Sequence, residues 1–154
     1  MSKNAEIFTA LRARLETIQT SAGYTNDVKA VVTGRSRMTL NMPEAELPFV
    51  EVLKDSETFD HGASASYWSE LLLVIFMVAP REWEDTQMED LLEDVRKCLF
   101  GGSASANGNT GITLGGLIAG MHLVDSHSDL GLIESNRIFS MRIRLRSHRV
   151  TYRD

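Results

Sequence analysis

Apolar residues recur along this chain with two distinct periods, and the periods divide it into elements. Ile7, Leu11, Leu15 and Ile18 are spaced by four, four and three residues, which stacks them on one stripe of a helix over about 5–20. Asn4 stands where an N-cap is needed and Gly23 where a stop is needed. The β-branched run Val28, Val31, Val32 predicts a short strand. Residues 35–47 are polar and irregular, and 49–59 return to strand chemistry, Phe49, Glu51 and Leu53 alternating with Val50 and Val52. Residues 61–66 are small and predict a turn. From 67 to 79 both period-2 faces are apolar after Glu70, as in a central strand covered on both sides, and Pro80 closes it.

Met88, Leu91, Leu92, Val95 and Leu99 then form the stripe of a second helix over about 86–99. Thr86 and Glu89 have the spacing of a capping box, and Gly101 lies just past its end. Residues 101–116 contain six glycines and predict a loop too long for a tight turn. Strands follow near 117–125 and 138–150. In the last, Phe139, Met141, Ile143 and Leu145 alternate with Ser140, Arg142, Arg144 and Arg146, one face inward and one outward. The order lacks regular βαβ alternation. The expected fold is therefore a single α+β domain over 1–154, a mostly antiparallel sheet flanked by two main helices, with long mobile loops.

Composition narrows the class of function. With 154 residues, 43% of them hydrophobic, the chain is long enough for a real core and short enough for one domain. Its longest apolar run, 71–80, is about half a membrane span, and the N-terminus lacks the apolar core of a secretory signal. A lone Cys98 excludes an internal disulfide framework and a cysteine-based zinc site. The net charge of −5 argues against a surface that grips nucleic acid everywhere. That figure conceals a segregation. Residues 82–94 hold seven acids and no base, whereas 137–153 hold six arginines and no acid.

Catalytic patterns are absent. No lysine follows the glycines of 101–116 in phosphate-loop spacing, and no serine sits in a nucleophile elbow. His122, Asp125, His127 and Asp129 cluster, but on a regular strand His122 and His127 face opposite sides, so a shared metal needs a bulge or turn between them. Cys98, near a helix C-terminus, reads as a packed hydrophobe. We expect no enzyme activity, catalytic residue, metal or cofactor. Glu89–Glu93 and Asp90–Asp94 are like-charge pairs on what the pattern makes a solvent face. Arg142, Arg144 and Arg146 stand about 7 Å apart on one strand face. Like charges in such rows repel, so a partner of opposite sign is expected. The acidic helix of a second copy, through Glu89, Asp90, Glu93 and Asp94, is the nearest candidate, and head-to-tail pairing of this kind closes a ring or grows a filament.

The order of these elements, with the helix EIFTALRARLETI, the strands DVKAVV, PFVEVL and YWSELLLVIFMVA, the helix MEDLLEDVRKCL, a loose loop and the strand IFSMRIRLR, resembles the tail-terminator (minor tail protein U-like) family of long-tailed bacteriophages. The similarity covers nearly the whole chain and lies in hydrophobic positions rather than in a sharp motif. It implies a structural virion protein, a homo-oligomeric ring of six on the last ring of tail-tube protein. Such a ring stops polymerisation, presents a docking surface for the head-completion or connector protein, and lets genomic DNA pass without specific binding. The place implied is the head–tail interface of the virion, after assembly in the host cytoplasm, with no membrane partner. The loop 101–116, through Asn107, Asn109, Thr110, Ile112 and Leu114, is the candidate contact with tube or connector. The alternatives are another neck or connector protein of a phage, or a small ligand-binding domain or enzyme built on the glycine loop and residues 122–129.

Overall fold

The first helix, α1 (Lys3–Leu15), begins two residues before the expected start and ends five before the expected stop. Ser2, not Asn4, caps it, its hydroxyl accepting the Ala5 N–H at 3.2 Å. Ile7, Leu11 and Leu15 are buried as their spacing predicts. Ile18 is buried too, although it lies beyond the helix in a turn that folds back under it. The structure, a computed structural model, describes residues 2–34, 44–61, 66–101, 114–128 and 136–150.

Five strands form one sheet: β1 (Ala30–Thr33), β2 (Phe49–His61), β3 (Ser66–Pro80), β4 (Gly120–His127) and β5 (Asn136–Val150), in the order β1-β2-β3-β5-β4. Every pairing is antiparallel except β1 with β2. Together with α1 and α2 (Asp85–Phe100), this is the expected α+β fold. Alternation decides which residues face inward: Leu71, Leu73, Ile75 and Met77 of β3 and Phe139, Met141, Ile143 and Leu145 of β5 join Ile7, Leu11, Leu91, Val95 and Leu99 of the helices in one core.

The central strand departs from expectation. β3 lies between β2 and β5, yet both described helices pack on one face only, and Leu72, Val74 and Phe76 on the other are merely half-buried. Among the described residues that face is covered at one end, where Val78 packs with Leu47 and Phe49, and the apolar pattern along the rest of it marks centrality in the sheet.

The second helix also starts differently. Glu84 is the N-cap, and the capping box joins Glu84 to Gln87 rather than Thr86 to Glu89. Gly101 ends the helix in an extended conformation, so positive φ is not what it supplies. A Cβ there would come within 3.2 Å of the Lys97 backbone, a tight approach that glycine avoids.

Candidate interaction surfaces

Of the seven acids in 82–94, the helix turns one inward. Asp94 is 4% exposed, and its carboxylate accepts the Thr25 N–H at 3.1 Å, the Asn26 N–H at 2.9 Å and the Asn26 side-chain amide at 3.0 Å. It is thus removed from the interface candidates and from the Asp90–Asp94 pair expected at the solvent face. A helix stripe is wider than two positions, and 94 falls beside Leu91 and Val95 on its inner margin. Glu89, Asp90 and Glu93 are exposed, as are Glu82, Glu84 and Asp85. Arg96 lies 3.3 Å from Glu93 and relieves its charge, a role that Lys97 at i+4 does not take. Lys97 instead donates to the Gly23 carbonyl at 3.1 Å and lies 5.2 Å from the Tyr24 ring centre.

The arginine row is compensated at Arg142 across strands, in a way that reading along one strand hides. Arg142 forms a two-pronged pair with Asp125 of β4, Nε to Oδ1 at 2.9 Å and Nη2 to Oδ2. That pair holds the Asp125 carboxyl below its ordinary range and raises Arg142. Arg146 stacks its guanidinium 4.3 Å from the Trp68 ring centre, and the Trp68 ring meets His148 edge-on at 5.1 Å. The Arg144 side chain makes no hydrogen bond, ion pair or ring contact with a described residue, and the Arg146 side chain meets only the Trp68 ring. The expectation that all three need an outside partner of opposite charge is therefore corrected to two, Arg144 and Arg146. The odd-numbered Arg137 and Arg149 face the other way. Arg137 donates to the Trp83 carbonyl at 2.9 Å and to Asp85 at 2.6 Å, while Arg149 is buried.

A bulge between Leu123 and Asp125 shifts the register of β4, so that His122 pairs with Arg144, Asp125 with Arg142 and His127 with Ser140. His122 and His127 consequently share a face, contrary to simple parity. His127 lies 3.6 Å from Asp125. No group of three or more histidine, cysteine or acidic side chains among the described residues is placed to hold a metal ion. No described helix is long and apolar enough to cross a membrane. Asp129 and four of the loop candidates, Asn107, Asn109, Thr110 and Ile112, lie outside the described residues. Leu114 is described: with φ of 52°, it packs partly against the core.

Two features escaped the sequence reading. One is a buried polar cluster at the start of α1. Arg149 donates to Ser147 at 2.9 Å and to Asn4 at 2.6 Å, and Glu57 accepts from Ser69 at 2.6 Å, Asn4 at 3.0 Å and Lys54 at 3.1 Å. The other is a cleft of about 420 Å³ where the 20–29 segment meets Leu47, Pro48, Pro80 and Trp83, with Asp27 and Lys29 in its lining.

Cys98 is the packed hydrophobe its position suggests. It is 2% exposed, and burial pushes its thiol up against the opposing pull of Thr17, Tyr24 and Arg14. Modification by a disulfide reagent at neutral pH should proceed no faster than unfolding exposes the thiol. Rapid stoichiometric labelling in native buffer would contradict this.

Compared with known proteins, the chain matches no family model and no curated protein.

Proposed function

We propose that this chain is a structural assembly subunit of the tail-terminator kind, acting as a ring rather than as an enzyme. The observation that carries the reading is the placement of exposed charge on two different elements of one two-layer domain. The outer side of α2 exposes Glu89, Asp90 and Glu93, with Glu82 and Glu84 at its start, and the sheet face bare of described helices exposes Arg144 and Arg146. A contact between such unlike surfaces repeats head to tail, and a repeated heterologous contact closes into a ring or extends as a filament. Order of elements along the chain favours the ring that caps a phage tail tube, ends its growth, receives the head connector and lets DNA through.

Light scattering after size exclusion, at low and high salt, tests the ring. Assembly should weaken with salt, because exposed charge pairs are screened within about 10 Å at 0.1 M. Arg144→Glu should weaken assembly at least about tenfold, the lower range for close interfacial charge pairs. A strictly monomeric protein that also fails to bind tail tubes would refute the reading.

A further inference from the structure

The cleft beside Trp83 and the sheet face away from α1 and α2 each carry two opposite charges that make no ion pair with a described residue. In the cleft, Asp27 and Lys29 are both exposed. One Asp27 oxygen accepts the Thr20 N–H at 2.6 Å. The Lys29 ammonium has no described hydrogen-bond or ion-pair partner. One residue of chain lies between Asp27 and Lys29, so their Cα atoms stand at most about 7 Å apart. On the sheet, Glu70 pairs in register with Arg146 and Leu72 with Arg144, so Glu70 and Arg144 are diagonal neighbours, about 7–8 Å apart. Neither makes an ion pair with a described residue.

We propose that the cleft is the seat for a second copy of this chain, which inserts Arg144 toward Asp27 and presents Glu70 to Lys29. The charges are opposite at both points, so one docking satisfies four ionic groups that have no ion-pair partner among the described residues. Trp83 supplies the wall against which a guanidinium stacks, and the chain already shows that chemistry in Arg146 on Trp68. Exposed Glu82 and Glu84 flank Trp83 and add negative potential at the mouth. The cleft is also held in shape before docking. Asp94 fixes Thr25 and Asn26, the Lys29 N–H donates to the Pro48 carbonyl at 2.9 Å, and Arg137 holds the Trp83 carbonyl. Little ordering is left to occur on binding. This assignment rests on the ring reading and narrows its contact from the outer side of α2 to the cleft just before that helix, where Glu82 and Glu84 stand.

The test is a charge swap read by light scattering at low salt. Asp27→Lys and Arg144→Glu should each weaken association at least about tenfold, and the double variant should recover most of the loss. Asp27→Asn, which keeps an oxygen for the Thr20 N–H and removes only the charge, should weaken association in the same direction, excluding loop damage as the cause. If the wild type assembles but Asp27→Lys assembles equally well, or the double variant shows no recovery, the seat is overturned and the ring reading stands. A wild type that stays monomeric at the highest attainable concentration overturns the seat, and one that also fails to bind tail tubes overturns the ring reading with it.

Discussion

Asp94→Ala is expected to lower the unfolding free energy by about 2–3 kcal/mol, the range for removing a buried charged acceptor from neutral donors. The carboxylate is nearly inaccessible and accepts three hydrogen bonds, two of them from the backbone of Thr25 and Asn26. Hydrogen bonds to a charged group contribute about 1.5–3 kcal/mol each, and deletion leaves two N–H groups facing the space the side chain vacates. Asp94→Asn should cost less, because its amide oxygen still accepts one bond, but its NH₂ then faces a donor. Urea denaturation with an unchanged m-value measures both. A loss below about 1 kcal/mol for the alanine variant would show that water replaces the carboxylate freely. Because the same carboxylate shapes the Trp83 cleft, Asp94→Asn should also weaken association while the chain remains folded.

What was legible in the sequence was what depends on period. The alternation in β5 correctly separated Phe139, Met141, Ile143 and Leu145 from Arg142, Arg144 and Arg146, because one buried sheet face fixes register. The stripe of α2 was equally plain. What stayed hidden depends on neighbours remote in the chain. Arg142 reads as an unrelieved charge until β4 brings Asp125 beside it, and Asp94 reads as a solvated acid until the 20–29 segment folds over it. The bulge at 123–125 cannot be inferred from parity, which assumes a regular strand. One signal was present and unused. Ser147 and Arg149 continue the inward parity of β5, so two polar residues were destined for the buried face and required partners there.

Those partners lead to a further large effect. Arg149→Ala should cost about 3–5 kcal/mol, since it leaves the Asn4 oxygen and the Ser147 hydroxyl without their donor and removes a cation 3.9 Å from Glu57 in a buried setting. Combining it with Glu57→Gln should cost less than the sum of the two, because both act on one network. Dependence on pH separates their roles. Burial pushes the Glu57 carboxyl up, but hydrogen bonds from Ser69, Lys54 and Asn4 outweigh it and leave the group below its ordinary value of 4.5. A carboxyl depressed in the folded state contributes stability that is complete above its unfolded pKa and lost as pH falls through its folded pKa. The acid limb of the stability curve should therefore flatten in Glu57→Gln and in Ser69→Ala. It should persist in Arg149→Ala, which leaves those three donors in place. Equal flattening in all three variants would mean that the guanidinium, acting at 3.9 Å, governs Glu57 more than the hydrogen bonds do.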